Sequence, residues 1–372
     1  MKTNRLYIPI LALALAAGFT SCDDFLDREP MSTVDPEVYF TQVSQLESYA
    51  NQLYENILPS HGNWSYGIFG EDSGTDNQTG ATANNRFAEG LWKVPNKDDD
   101  NWKFEWIYRC NFFLQNVLEK YGTKEDGSEN TIMGDLASIK HYIGEIYFLR
   151  AYEYFKRYQK YGDFPIITEP LADDMEILRE SNKRMPRTEV ARFILDDLKK
   201  AYDFLSAKEM ATTRINKDAA LLLRSRVALF EGTWLKSFEG TAFVPNGEGW
   251  PGASKDYNKD YQFKSGSIDK EINYFLEQAI ADAETISEAY KNDLAENKGL
   301  QQSVNDPANP YYDMFAQEDL SGVREVLLWR QYGRGLVTHN VNVAANRGNY
   351  MNGVTRAFVN NFLMDDGTPV YT

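Results

Sequence analysis

The chain is poor in cysteine and histidine, with two cysteines and three histidines in 372 residues. One pair, Cys22 and Cys110, cannot build the disulfide framework of a small secreted domain. The histidines, His61, His141 and His339, show no spacing typical of a metal site. Neither a glycine-rich phosphate loop nor a serine-centred nucleophile turn is present. These absences argue against the common nucleotide-binding, zinc and serine-hydrolase classes.

Basic residues are scarce relative to acidic ones. The chain has 39 lysines and arginines against 55 aspartates and glutamates, which gives a formal net charge of −16. A surface this acidic repels phosphate backbones, so we expect no nucleic-acid partner.

The chain is rich in apolar and aromatic residues. Hydrophobic residues make up 42% and aromatic residues 14%, which is enough for a large core at this length.

Residues 1–21 have the pattern of a signal peptide. Lys2 and Arg5 form a basic head, an apolar run follows, and small residues lead up to Cys22. The apolar run is shorter than the ~20 residues that span a bilayer. A cysteine at this place resembles a bacterial lipoprotein site, which implies that Cys22 is lipidated and becomes the mature N-terminus. Because Phe19 stands where leucine is usual, ordinary secretory cleavage is the alternative.

The segment after the signal, residues 22–40, is acidic and broken by proline. It predicts a tether whose apolar residues, among them Phe25 and Leu26, contact the folded body. We expect residues 41–372 to form one domain. The other cysteine, Cys110, lies in an apolar helical pattern and is expected to be a small buried residue rather than a reactive thiol.

The most informative stretch runs from Gly144 to Thr168. Its large apolar residues recur three and four apart, which predicts one buried face of a long α-helix. Gly162 can end this helix in the left-handed conformation, and Pro165 cannot continue it. A small residue at Ala151, followed by an aromatic ring four positions later, is typical of helix-hairpin repeats.

Further amphipathic segments are joined by short connections, which predicts antiparallel hairpins. Helices are predicted at about 42–57 and 102–121, from 130 or 131 through the central stretch, from near 188, from 216, after 267 and briefly after 309. The helix from 216 is apolar nearly all round, so we expect it to be the most buried. The run at 325–330, EVLLWR, is a candidate short strand.

Three long segments lack any helical period and mix glycine, aromatic and polar residues: 61–101, 238–266 and 333–352. Loops of this length are commonly functional. Sugar binding needs flat rings to stack on and amide, carboxylate or guanidinium groups to match hydroxyls. The candidate ligand-binding residues are therefore Trp64, Tyr66, Asp72, Asn85, Arg86, Trp92 and Trp250. In the alternative interpretation, these rings only anchor their loops, as expected for the core tryptophans Trp102, Trp106 and Trp234.

Several stretches together resemble the SusD/RagB family of outer-membrane nutrient-binding lipoproteins. The central one is GEIYFLRAYEYFKRYQKYGDFP. The others, in the same order as in that family, are CDDFLDREPMSTV, RMPRTEVARFILDDLKKAYDFL, RINKDAALLLRSRVALFEGTW and FLMDDGTPV. The resemblance covers nearly the whole chain after Cys22. Chains of that family continue past the last motif, so the sequence is expected to be truncated.

The resemblance implies a mainly α fold. The scaffold would be tetratricopeptide-like helix hairpins, with long irregular aromatic loops and minor β structure near the C-terminus. It also implies a lipid-anchored protein at the cell surface that hands glycans, or peptides in some branches, to a SusC-type TonB-dependent transporter. No cofactor, metal or catalytic residue is expected.

Two other classes compete with this interpretation. An all-α glycoside hydrolase would need two carboxylates on either side of a cleft. With 55 acidic residues, neighbouring pairs such as Glu71 and Asp72 arise by chance and carry little weight. A pure protein-interaction scaffold would show a strict repeat period, which is missing here. The sequence therefore favours a binding protein over an enzyme.

Overall fold

The computed structural model describes most of the chain from residue 39 onward. The described residues are 39–61, 72–80, 89–90, 102–206, 211–299, 306–333, 337–339, 341 and 353–370. Their regular secondary structure is almost entirely helical. The predicted signal peptide and Cys22 lie outside the described residues.

The regular elements are mostly helices. The α-helices of the described residues are α1 (Val43–Ile57), α2 (Glu105–Tyr121), α3 (Leu136–Tyr161), α4 (Met175–Ser181), α5 (Arg187–Phe204), α6 (Lys217–Ser237), α7 (Ile268–Tyr290), α8 (Pro310–Ala316) and α9 (Arg356–Val359). Two short strands, β1 (Gln78–Thr79) and β2 (Gly353–Val354), pair antiparallel. The predicted mainly α fold with minor β structure near the C-terminus is confirmed.

The long helices pack in chain order into a layered array. One hairpin is α2 with α3 and a second is α5 with α6, and the two meet where α3 packs on α5. At one end α1 packs on α3, and at the other α7 packs on α6. Successive helices that pack on their neighbours are the arrangement of helix-hairpin repeat proteins. The predicted tetratricopeptide-like scaffold is confirmed.

The most buried helix is α3, because α1, α2 and α5 all pack on it. Sixteen of its 26 residues are buried. The prediction that the helix from residue 216 would be the most buried is wrong. That helix, α6, exposes Leu222 (47%) and Leu229 (51%) on its outer side. An apolar composition on all sides does not ensure a neighbour on all sides.

The ends of α3 follow local sequence signals. Asp135 caps the N-terminus, where its carboxylate accepts a hydrogen bond from the Ser138 N–H at 2.8 Å. Gly162 ends the helix at φ +66°, and its N–H donates to the Tyr158 carbonyl at 2.8 Å. The predicted end is confirmed. The predicted start at residues 130–131 is too early, because these residues belong to the turn before the cap.

Buried arginine–carboxylate pairs join neighbouring helices. Arg150 on α3 donates from Nε and Nη2 to the two oxygens of Asp197 on α5, each at 2.7 Å. Its Nη1 donates to the side-chain oxygen of Asn111 on α2 at 2.8 Å. Bidentate pairing is directional, so it sets the register of three helices and also neutralises buried charge. Arg187–Glu231, Arg192–Glu271 and Arg224–Asp282 also join helices, and Arg214, just before α6, pairs with Glu145 on α3.

Two local predictions differ from the structure. The run Glu325–Arg330 is not a strand: among the described residues it pairs with no other strand. The Trp329 N–H instead donates to the Thr212 carbonyl at 3.2 Å, and the Leu327 carbonyl accepts from Asn216 Nδ2 at 2.6 Å. Its apolar residues pack on the start of α6. The sequence also missed α4, because a helix of seven residues is too short to show a sustained apolar period.

Four residues predicted to lie in the core do contact it. Trp102, Trp106 and Trp234 pack against the main hydrophobic cluster, although each is only partly buried. Cys110 is fully buried, and burial raises the pKa of its thiol. A protonated, inaccessible thiol is inert, so the prediction for Cys110 is confirmed.

Gly144 lies where α3 packs closely on the C-terminal end of α5. A Cβ added there would lie 2.9 Å from the Leu205 backbone nitrogen and 3.1 Å from the Ala201 carbonyl oxygen. Because backbone atoms cannot rotate away, we expect Gly144→Ala to lower the free energy of unfolding by about 1–3 kcal/mol. Alanine's better helix propensity offsets only part of this. Chemical denaturation measures the change.

Gly322→Ala is the matched control, because a Cβ at Gly322 meets no atom within 4 Å. It should leave the free energy of unfolding nearly unchanged. Equal stability of Gly144→Ala and the parent would contradict the close packing of α3 on α5.

Candidate binding cleft

An open cleft lies beside α1 and α3. Its volume is about 1400 Å³. Its walls come from the C-terminal end of α1, the middle of α3, α8 and the segments 317–333 and 337–339. Pockets for one small molecule typically measure ~300–1,000 Å³. The cleft therefore has room for an extended ligand.

Aromatic side chains line this cleft from three elements. Tyr152 comes from α3, Phe315 from α8, and Trp329 and Tyr332 from the segment that follows α8. Phe315 is 73% exposed, so its ring is open to solvent. Trp329 is held in place, since its Nε1 donates to the Thr212 hydroxyl at 2.8 Å. The cleft thus offers several accessible ring surfaces.

Three rings form a cluster at one end of the cleft. The ring centroid of His339 lies 5.2 Å from that of His61 and 5.0 Å from that of Tyr332. The Tyr332 hydroxyl accepts a hydrogen bond from the His61 N–H at 2.8 Å. His61 opens the first predicted loop, and His339 belongs to the third. Two segments far apart in sequence therefore meet at the cleft, and the β1–β2 pair joins the same two regions again.

Beneath the cleft lies a network of buried polar groups. Glu145 on α3 accepts from Arg214 Nε at 2.8 Å and from Arg214 Nη2 at 2.6 Å. It also accepts from the Tyr54 hydroxyl at 2.7 Å and contacts His141 Nε2 at 3.0 Å. Burial, with Glu145 beside the hydroxyl, raises the pKa of Tyr54. Tyr54 lines the cleft as a protonated hydroxyl, held by groups that cannot move freely.

Polar side chains stand among the rings. Gln317, Glu318, Arg330 and Gln331 all line the cleft and all keep solvent exposure. Amide, carboxylate and guanidinium groups together can donate and accept hydrogen bonds from hydroxyl groups. Within the described parts of the chain, no group of three His, Cys, Asp or Glu residues is arranged to hold a metal ion. Rings beside such groups suit a ligand with apolar faces and many hydroxyls.

Most of the ligand-binding residues predicted from sequence fall outside the described residues. They are Trp64, Tyr66, Asn85, Arg86 and Trp92. Asp72 is described and is exposed. Its carbonyl accepts from the Thr75 N–H at 3.1 Å and the Thr75 hydroxyl at 2.7 Å, in the turn before β1. Asp72 does not line the cleft.

Trp250 was predicted to bind ligand, but its ring is only 4% exposed. Its Nε1 donates to Asp163 Oδ2 at 2.8 Å, and a Cβ on Gly252 would lie 2.1 Å from the ring. Trp250 therefore anchors the 238–266 loop to the end of α3, and no face of the ring is open for stacking. The prediction for Trp250 is corrected for this reason. The 238–266 loop lines no part of the cleft.

The rings that do line the cleft were not selected from the sequence. The sequence predicts a candidate strand around Trp329 and a short helix around Phe315. The run Trp329–Tyr332 reads WRQY, in which rings alternate with hydrogen-bonding side chains next to Gly333. The 61–101 loop stands out for the same mixture of aromatic and hydrogen-bonding residues. This composition is therefore the signal by which the sequence could have identified Trp329 and Tyr332.

Comparison with known families decides the relationship. A family model for SusD-like proteins, described as starch-binding and associating with outer membrane, matches residues 24–229. That match covers more than half of the chain. The chain belongs to the SusD-like family.

Two SusD-like proteins from Formosa agariphila are similar to this SusD-like chain. SusD-like protein P25 is 26% identical over 234 residues, or 58% of the chain and 41% of the relative. SusD-like protein P2 is 25% identical over 258 residues, or 67% of the chain and 47% of the relative. The chain thus covers less than half the length of either relative.

A solved structure has the same fold. The crystal structure of a SusD-like carbohydrate-binding protein from Bacteroides fragilis aligns with a TM-score of 0.56. The alignment covers 89% of this chain and 55% of that chain, at 16% identity. At this identity the likeness shows the fold alone.

Proposed function

We propose that this protein captures oligosaccharides and delivers them to a SusC-type TonB-dependent transporter in the outer membrane. The observation that carries the proposal is the cleft, where exposed rings stand beside amide, carboxylate and guanidinium groups. Membership of a family described as starch-binding supports a glycan as the ligand. We further propose that Cys22 carries the lipid anchor that keeps the protein at the cell surface.

The residues of the cleft suit capture by stacking and hydrogen bonding. The flat rings of Phe315 and Trp329 can stack on the C–H faces of sugar rings, while Arg330 and Gln331 can reach the hydroxyls. Tyr54, which lines the cleft, already donates to Glu145 at 2.7 Å, so ordering its side chain on binding costs little conformational entropy. We propose that bound sugar is passed on unchanged.

Five of the six candidates in the 61–101 loop, all except Asp72, stay part of this proposal. His61 lies shortly before Trp64 and Tyr66 in the chain and belongs to the ring cluster at one end of the cleft. We propose that Trp64, Tyr66 and Trp92 extend the stacking surface, with Asn85 and Arg86 as hydrogen-bonding partners.

Two neighbouring residues of α8 test the site with a matched control. Phe315 lines the cleft and is 73% exposed, whereas Tyr312 is 58% exposed and does not line it. We expect Phe315→Ala to weaken oligosaccharide binding about tenfold, because an aromatic contact is worth ~0.5–1.5 kcal/mol beyond its area. Tyr312→Ala should bind like the parent. Isothermal titration with linear α-glucans, β-glucans and peptides measures both variants.

Neither substitution should change the melting temperature, because both side chains are exposed. Equal weakening by the two variants, or none, would contradict the proposed site. Tight binding of peptides alone would favour the peptide-binding branch of the family. Cleavage of the oligosaccharide that disappears when one carboxylate is replaced would favour the hydrolase.

A further inference from the structure

A second cavity is separate from the cleft and is almost wholly apolar. It is a groove of about 320 Å³ between the start of α2, the segment after α3, and α4. The lining residues that matter here are Trp102, Phe104, Tyr108, Ile167, Glu169 and Leu178. Five of these six are apolar or aromatic, so the groove suits apolar side chains.

One wall of the groove is α4, the helix that the sequence did not predict. Asp174 caps it by accepting from the N–H groups of Glu176 at 2.9 Å and Ile177 at 3.0 Å. None of its residues is buried, and Ile177 and Leu178 are 44% and 39% exposed. The helix is capped, yet its apolar side chains are only partly covered by the described residues. An amphipathic helix of this kind needs a partner on that side.

The described chain begins close to this groove. Phe40 is fully buried, and its ring centroid lies 6.1 Å from that of Phe112. The Phe112 ring in turn stacks on Tyr108 at 6.4 Å, and Tyr108 lines the groove. Each residue of an extended chain spans up to ~3.3–3.6 Å. Phe25 and Leu26 are far enough before Phe40 to fold back onto the groove.

We propose that Phe25 and Leu26 of the N-terminal tether occupy this groove. They are the only two adjacent large apolar residues between positions 22 and 38. Acidic residues flank them, and Arg184 stands at the groove edge with its guanidinium 4.5 Å over the Trp102 ring. The tether also carries Arg28, which can face the carboxylate of Glu169. The chemistry of the segment thus matches both the apolar lining and the charged edge.

Docking gives the tether a fixed exit from the body. Cys22 precedes Phe25 by three positions. A lipid on Cys22 would therefore leave the protein beside the groove and turn the α2 and α4 side toward the bilayer. The docking itself is independent of glycan binding. Only this orientation rests on the proposed lipidation.

Disulfide trapping tests the docking directly. In the full chain from residue 22, with Cys22→Ser, the remaining Cys110 is fully buried and does not react. Adding Leu26→Cys and Leu178→Cys should give a disulfide under mild oxidation. The matched control pairs Leu26→Cys with Ile280→Cys on α7, which is 56% exposed. We expect the first pair to close on the order of tenfold faster, because docking raises the local thiol concentration.

A third variant shows whether the apolar residue drives the contact. Adding Phe25→Asp to the first pair should remove its advantage over the control. Equal closing rates for the two pairs without Phe25→Asp would overturn the proposal. An advantage that survives Phe25→Asp would also overturn it.

Hydrogen exchange gives a second readout that needs no introduced cysteine. In the parent chain, the amides of α4 should exchange several-fold more slowly than in the Phe25→Asp, Leu26→Asp variant. Equal exchange in the two chains would overturn the proposal. The proposal would also be overturned if Trp92→Asp speeds exchange of the α4 amides while the tether variant does not. The groove would then hold another segment. Oligosaccharide titration of the tether variant should match the parent, which separates this proposal from the proposed function.

Discussion

Replacing Asp197 with alanine is expected to lower the free energy of unfolding by about 3–5 kcal/mol. Asp197 is fully buried and is the only carboxylate that the described structure places on the Arg150 guanidinium, which is itself 4% exposed. The variant leaves that charge buried with Asn111 as its neutral partner. Water cannot easily reach it, and the guanidinium keeps its proton. Chemical denaturation measures the loss.

A second aspartate on the same helix provides the control. Asp203 pairs with Lys199 at 2.6 Å, but the two side chains are 50% and 63% exposed. Exposed pairs of this kind contribute only ~0–1 kcal/mol, so Asp203→Ala should have a small effect. If the two variants lose the same free energy, the Arg150–Asp197 pair does not join α3 to α5 as described.

Cys22→Ala is expected to release the protein from the membrane fraction. Acyl chains anchor a protein by ~0.8 kcal/mol per buried CH₂ group, and all of that contribution is lost with the cysteine. In the part of the chain that the structure describes, no helix is long and apolar enough to cross a bilayer. Because the acyl chains are the proposed anchor, we expect most of the Cys22→Ala protein to leave the membrane fraction. Fractionation and incorporation of labelled fatty acid measure it.

Cys110→Ala serves as the control, because it removes the other cysteine at a buried site. It should keep both the label and the membrane association. A Cys22→Ala protein that still fractionates with the outer membrane and carries as much label as the parent would contradict the lipoprotein proposal.

The helical scaffold could be predicted because its signals are local. Gly162 ends α3, Asn216 caps α6 by accepting from the Ala219 N–H at 3.0 Å, and Ser267 caps α7. Each signal acts within one turn of helix, so it can be read from a few neighbouring residues. The short connections between α2 and α3 and between α5 and α6 predict the two hairpins.

The relative burial of the helices could not be predicted in the same way. The sequence of α6 is more uniformly apolar than that of α3, yet α3 is the more buried helix. Burial depends on how many neighbours a helix has, and α3 has three. The buried charges Arg150 and Glu145 also look like surface residues in the sequence, because their partners are distant in the chain.

The cleft was predicted only in part, for the same reason. The sequence singled out the 61–101 and 333–352 loops, and His61 and His339 from these two loops do meet at the cleft. It could not place Phe315 or Trp329 there, because the other walls of the cleft come from residues far away in the chain, and Trp329 is held by Thr212. Trp250 shows the converse. A ring on a glycine-rich loop looked accessible, but Asp163 holds its Nε1 in the core.

A crystal structure of the chain with a linear α-1,4-glucan oligosaccharide tests most directly whether the cleft holds the sugar. We predict sugar rings stacked on Phe315 and on Trp329 or Tyr332, with hydroxyls bonded to Arg330 or Gln331. Sugar bound elsewhere on the protein, with an empty cleft, would contradict the account.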